Sequence, residues 1–223
     1  MANILKPSPG TSAEPRSARA PASKDAELNV TRFAIPDLLL IEPTRIADER
    51  GFFSETFRAD RFREAAGPVA FVQDNHSRSA ARGTIRGLHY QKSPRAQGKL
   101  VRVTRGAILD VAVDIRHGSP TFGRFEAVEL SECNWRQLWI PPGFLHGFCT
   151  LVDDVEVLYK ATDYYSREHD AGVRWNDASI AAPWPFAERD AILSAKDRTA
   201  PLLAEIGVEF VYEERPAGRR SPA

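Results

Sequence analysis

The chain has 223 residues, 43% of them hydrophobic, and its 30 basic and 30 acidic side chains give a formal net charge of zero. That length fits one domain with tails or two small domains, and the apolar content is enough for a substantial core. The charge balance argues against nucleic acid or an anionic membrane as partner, but leaves room for a local basic patch holding one phosphorylated ligand.

Residues 1–28 are rich in Pro, Ala and Ser with few large apolar side chains, so they are expected to be a disordered tail. Residues 29–212 are expected to form a single folded domain, and residues 213–223 a second disordered tail. Helical pattern is confined to DRFREAAG (60–67) and the region from Pro201 to Ile206. Elsewhere the strand period dominates. LVRVTRGAILDVAVDIR (100–116) alternates on both sides of Gly106, which predicts two strands joined at a turn. In the second strand Ile108, Asp110, Ala112 and Asp114 share one face, and Leu109, Val111, Val113 and Ile115 the other. HGSPTFG (117–123) reads as a turn. Strand-like runs follow at 125–130, 136–143, 146–152 and 155–165, separated by Gly and Pro. This spacing predicts an all-β fold, a sandwich or barrel with a few short helices.

Cys133 and Cys149 form no CxxC pair and are read as free thiols of a reducing compartment. No apolar run is long enough to span a bilayer, and no secretory signal is evident at the start, so a cytoplasmic location is expected.

Five histidines carry the first chemical question. His117 lies in a turn and His169 in a charged loop, and both read as surface residues. His76, His89 and His146 lie in or beside strand-like segments and could converge inside a barrel. WIPPGFLHGF (139–148) has the form P-x-G-x-x-H, which resembles a motif of the cupins, small jelly-roll barrels in which that histidine often binds metal. A metal site needs more ligands, yet the earlier strand offers only His89, followed by Tyr90 and Gln91. Proton transfer asks for different company: a histidine with an orienting carboxylate, a second acid, and a cation where negative charge develops. Lys99, Arg86, Tyr159 and Asp197 supply these types. Each has an ordinary alternative: a solvated charge for Lys99, a surface ion pair for Arg86, a core aromatic for Tyr159, and a helix cap for Asp197.

The motifs IRGLHYQ, GKLVRV, GAILDVAVDIR, PPGFLHGF, YKATDYYS, RWND and LSAKD, with RGFFSETF (50–57) and VQDNHSRS (72–79), resemble in order the dTDP-4-dehydrorhamnose 3,5-epimerase family. The likeness runs from about Ile35 to about Leu203. It implies a cupin-like jelly roll, a homodimer, and no metal or organic cofactor. It implies inversion at C3 and C5 of dTDP-4-dehydro-6-deoxy-D-glucose, in dTDP-L-rhamnose or related deoxysugar synthesis. His89 would be the general base, Asp197 its carboxylate partner, Tyr159 the acid and Lys99 the cation beside the C4 oxygen. Substrate contacts are implied for Arg50, Phe53, Glu55, Gln73, Asn75, Arg86, His146, Tyr165 and Lys196, with the RGFF stretch reaching into the neighbouring subunit's site. One departure is visible: Asp170 stands where the family usually has Glu, which puts a contact there in doubt. The alternatives are an enzyme acting at one centre only, a ketoisomerase of a related sugar, or a sugar-nucleotide-binding cupin without activity.

Overall fold

The computed structural model describes residues 28–214. The two expected tails therefore lie outside the described residues, apart from Leu28, Glu213 and Glu214. In chain order the elements are β1 (Asn29–Arg32), β2 (Leu39–Glu42), β3 (Ile46–Asp48), β4 (Gly51–Phe53), α1 (Ala59–Ala66), β5 (Gln73–Ser79), β6 (Ile85–Gln91) and β7 (Lys99–Arg105). Then come β8 (Ala107–Asp114), β9 (Arg116–His117), β10 (Phe125–Ser131), β11 (Gln137–Ile140), β12 (Phe144–Thr150), β13 (Val155–Ala161), β14 (Asp170–Gly172), α2 (Ala195–Arg198) and β15 (Phe210–Val211).

Two antiparallel sheets face each other. One has the order β1-β2-β11-β7-β13-β5, the other β10-β8-β12-β6-β14. Sequential strands fall alternately into the two sheets over much of the chain, as a jelly roll requires. The all-β expectation holds, and the pair of strands around Gly106 is β7 and β8. The helix expected at 60–67 is α1, while the 201–206 region makes only a single 3₁₀ turn, Leu203–Glu205. Sequence periodicity gave no sign of α2, a four-residue helix too short to show one.

Burial follows the strand alternation. Val101, Val103, Leu138, Ile140, Val155 and Val157 meet Ile108, Ala112, Leu130, Phe144 and Phe148 between the sheets. The opposite face of β8 sends Val111 and Val113 into a second cluster with Leu145, Val173, Ile180 and Leu203, beneath the C-terminal segment. The outer face of the larger sheet packs Leu39, Ile41, Leu100 and Trp139 against Phe62 of α1. Each such side chain contributes about 1.5–3 kcal/mol when fully buried. Asp114, on the interior face of β8, is held by Arg116 at 2.7 Å, Ser119 at 2.6 Å and Thr121 at 2.7 Å. Asp110, on the same face, is completely buried.

Candidate active site

The site begins with two glycines. β6 and β12 pair so that His89 lies opposite His146, with an irregularity in register between His146 and Phe148. There the backbones approach too closely for a side chain. A Cβ on Gly87, whose φ is +125°, would lie 2.6 Å from Gly147 Cα and 2.7 Å from His146 O. Only glycine adopts that conformation at no steric cost. RGLH and HGF are therefore two halves of one junction, and they set the two histidines side by side.

Behind each histidine stands a buried carboxylate. His89 Nε2 lies 2.6 Å from Asp197 Oδ1. Asp197 is 3% exposed and sits in α2, whose first turn is capped by Ser194 Oγ accepting from the Asp197 N–H at 3.1 Å. An ionised carboxylate can only accept, so Nε2–H donates, and in the neutral ring Nδ1 is the nitrogen that carries the lone pair. Burial pulls the Asp197 carboxyl upward, but the hydrogen bond from His89 and others from Ser194 and the Gly87 N–H hold it below the ordinary aspartate value. His146 repeats the arrangement, with Nε2 3.0 Å from both oxygens of Asp110. Burial lowers the His146 pKa against the opposing pull of Asp110.

The facing sheet supplies the other groups. Lys99 opens β7 and Tyr159 lies on neighbouring β13, where β7 and β13 pair Lys99 with Ala161 and Tyr159 with Val101. Burial pushes the Lys99 ammonium down to about 8, against the attraction of Asp110 and Asp170. Burial raises the Tyr159 phenol, Arg86 opposing and Asp170 assisting, so the hydroxyl keeps its proton at neutral pH. Arg86 is anchored by Ser79 Oγ at 3.2 Å and the Arg78 carbonyl at 3.1 Å. Arg86, His89, Lys99, His146, Tyr159 and Asp197 line one cavity of about 420 Å³ between the sheets. That is enough room for a hexose ring with part of its substituents.

A second group of expected residues forms a linked rim. Gln73 Nε2 donates to Asn75 Oδ1 at 3.0 Å, and Gln73 Oε1 accepts from the Tyr165 N–H at 2.9 Å. The Tyr165 hydroxyl reaches Asp170 at 3.2 Å, and Asp170 is ion-paired with Lys196. The shorter side chain at Asp170 thus has two partners of its own. Arg50, Phe53 and Glu55 do not join the cavity of their own chain. They lie on or just after the hairpin β3–β4, with Arg50 83% exposed and paired to Asp48 and Phe53 70% exposed.

Two readings of the histidines need correction. His76 does not converge with the others; it lies on the outer face of β5, 56% exposed, bonded to Glu156 at 3.0 Å. The alternation of β5 directs Gln73, Asn75 and Ser77 inward and His76 outward. His169 is half-buried rather than fully solvated and pairs with Ser166 Oγ at 2.8 Å. Among the described residues no group of three or more His, Cys, Asp or Glu side chains is placed to hold a metal ion. Sequence reasoning placed Asp110 on a face but gave it no part in the site. An aspartate alternating with Ile108 and Ala112 on the core face was the signal.

Two sheets around an interior cavity, with histidine–carboxylate pairs on one wall and a lysine and tyrosine on the other, define a cupin-like protein built for acid–base chemistry. A family model described as dTDP-4-dehydrorhamnose 3,5-epimerase matches residues 32–205. A relative from Salmonella typhimurium named dTDP-4-dehydrorhamnose 3,5-epimerase is 54% identical over 175 residues, 78% of this chain and 94% of the relative. One of the same name from Sinorhizobium fredii is 50% identical over 186 residues, 83% of this chain and 95% of the relative. The crystal structure of a dTDP-6-deoxy-D-glucose-3,5-epimerase from Legionella pneumophila, in complex with dTDP-4-keto-L-rhamnose, superimposes with a TM-score of 0.80 at 47% identity, covering 84% of this chain and all of that one. The chain belongs to the dTDP-4-dehydrorhamnose 3,5-epimerase family.

Proposed function

We propose that the protein inverts C3 and C5 of a dTDP-4-keto-6-deoxy-glucose, with His89 as base and Tyr159 as acid. Both carbons flank the C4 ketone, so loss of either proton sends an electron pair to the C4 oxygen as an enolate. His89 Nδ1 takes the proton, and Asp197 stabilises the imidazolium through Nε2–H. Lys99 stabilises the enolate oxygen. At 4 Å such a charge pair is worth about 1 kcal/mol in water but about 4 kcal/mol at an effective dielectric of 20, so a low-dielectric setting for Lys99 matters. Tyr159 returns a proton from the opposite wall, which inverts the centre, and both groups reset through solvent before the second carbon reacts. Positioned acid–base groups of this kind supply about 10²–10⁴-fold each.

The observation that carries the reading is the placement of the His89–Asp197 pair on one wall and Tyr159 on the other of a single cavity, with Lys99 beside them. A binding protein has no use for a base and an acid on opposed walls. The test is Tyr159→Phe. Solvent deuterium should still enter the substrate while the inverted product falls far more. An equal loss of exchange and product would remove Tyr159 from the role of acid.

The nucleotide end is assigned to Arg86 and the rim of Gln73, Asn75, Tyr165, Asp170 and Lys196, with thymine against the Tyr165 ring. Arg50, Phe53 and Glu55 are assigned to the site of a second copy, in a homodimer. Their exposure on a hairpin that leaves their own cavity supports this. Two unpaired cysteines, Cys133 and Cys149, suit the reducing cytoplasm.

A further inference from the structure

Asp110 is a charged residue without any exposed surface, on the core face of β8 between Ile108 and Ala112. Burial of a lone carboxylate is costly, so its partners define its purpose. Its only side-chain hydrogen bonds among the described residues run to His146 Nε2, at 3.0 Å from each oxygen. Its neighbour on the same face, Asp114, is satisfied by Arg116, Ser119 and Thr121 and has no link to the cavity. Two aspartates four residues apart on one strand thus have separate duties. His146 Nδ1 has no hydrogen bond among the described residues, and its ring lines the cavity. Lys99 likewise has no ion pair of its own there, and Asp110 is foremost among the charges that keep it protonated.

We infer that Asp110 is a positioning residue for this site: its carboxylate holds His146 in the Nε2–H tautomer, so that Nδ1 meets a substrate hydroxyl as acceptor, and it is the counter-charge to Lys99. The inference rests on the epimerase reading for its substrate, not for its tautomer. A neutral amide at 110 could donate to Nε2 instead, which would release His146 into the opposite tautomer and present an N–H where an acceptor is needed. It would also remove one of the two anions, Asp110 and Asp170, whose charge favours the lysine cation. The other groups facing Lys99 are Asp170 on β14, Lys196 and Asp197 on α2, His89 and Arg86 on β6, His146 on β12 and Tyr159 on β13. Of the two other anions, Asp197 is bonded to His89 and Asp170 is paired with Lys196.

The first test needs no variant. In the histidine-¹⁵N-labelled full chain, His146 should show a protonated Nε2 and an unprotonated Nδ1. A protonated Nδ1 would overturn the inference, whether or not the protein turns over the sugar nucleotide. The second test is Asp110→Asn with dTDP-4-keto-6-deoxy-glucose. kcat should fall by on the order of tenfold or more with KM little changed, and the alkaline limb of kcat/KM should move to lower pH. Asp110→Glu should restore the limb in part. Asp114→Asn controls for a buried carboxylate lost from the same face, and should leave the limb where it was. Unchanged kcat and an unmoved limb in Asp110→Asn would overturn the inference. Failure of the wild-type chain to exchange substrate hydrogens would instead count against the epimerase reading.

Discussion

Asp197 Oδ1 lies 2.6 Å from His89 Nε2, although 108 residues separate the two in the chain. The strand β6 brings one and the single turn of α2 the other, and the contact fixes which ring nitrogen carries the proton. Asp197→Asn should preserve the fold and lower kcat by about 10²–10⁴-fold, because an amide no longer selects the tautomer that leaves Nδ1 basic. Turnover compared with near-ultraviolet circular dichroism checks it. Activity within about threefold of wild type would mean that His89 needs no orienting carboxylate.

In the proposed mechanism Lys99 sets an alkaline limit. Burial brings its pKa down to about 8, and only the protonated form stabilises an enolate. kcat/KM should therefore fall as pH rises through about 8. Arginine stays charged throughout this range, so in Lys99→Arg the residual activity should lose that limb. A limb that persists in the arginine variant belongs to another group.

The glycine junction is a structural requirement with a functional cost. Gly87→Ala would force a Cβ to within 2.6 Å of Gly147 Cα at a φ of +125°. Backbone stands on both sides, so neither can yield as a flexible side chain would. A loss of about 1–3 kcal/mol in denaturant unfolding is expected, with a larger fractional loss of activity because the two histidines separate. A variant of unchanged stability would show that the strands can part without cost.

How much of this was legible beforehand follows from which forces act locally. Period-two alternation at 100–116 announced β7 and β8 and the two faces of β8, because each side chain's burial depends only on its strand. The motif P-x-G-x-x-H marked the turn that delivers His146. The direction of His76 was misjudged, although the same alternation through Asn75 and Ser77 would have turned it outward. α2 was invisible because four residues carry no helical period, and what holds Asp197 inward is its bond to His89 on another strand. Asp110 was seen on the core face but not as part of the site, since its partner His146 lies 36 residues away.

Asp114 should make stability depend on acid. Burial alone would raise its pKa, but hydrogen bonds from Arg116, Ser119 and Thr121 outweigh it and hold the group below 3.8. The folded chain therefore binds this proton less tightly than the unfolded chain. The stabilisation is complete above 3.8 and is lost as pH falls through the lower folded value. Asp114→Asn should cost about 1–3 kcal/mol at pH 7, because Arg116 loses one of its two carboxylates and keeps Asp37 at 2.7 Å, and the gap to wild type should narrow in acid. Denaturation midpoints across the pH range check this; a gap independent of pH would show that the carboxylate's charge is not what stabilises.

The proposed homodimer, with Arg50 completing the site of the second copy, predicts complementation. Arg50→Ala alone and His89→Ala alone should each be weakly active. Mixed and reassembled, they should regain activity up to about a quarter of wild type, because hybrid dimers hold one intact site. Absence of any recovery, with exchange of subunits verified, would place Arg50 outside its neighbour's site.

The central claim is proton transfer at both carbons beside one ketone by His89 and Tyr159 on opposed walls. The most direct measurement is an NMR time course of dTDP-4-keto-6-deoxy-glucose with the protein in deuterated water. Deuterium at both C3 and C5 in a product of L configuration is the predicted result. Deuterium at C3 alone, or none at either carbon, would contradict it.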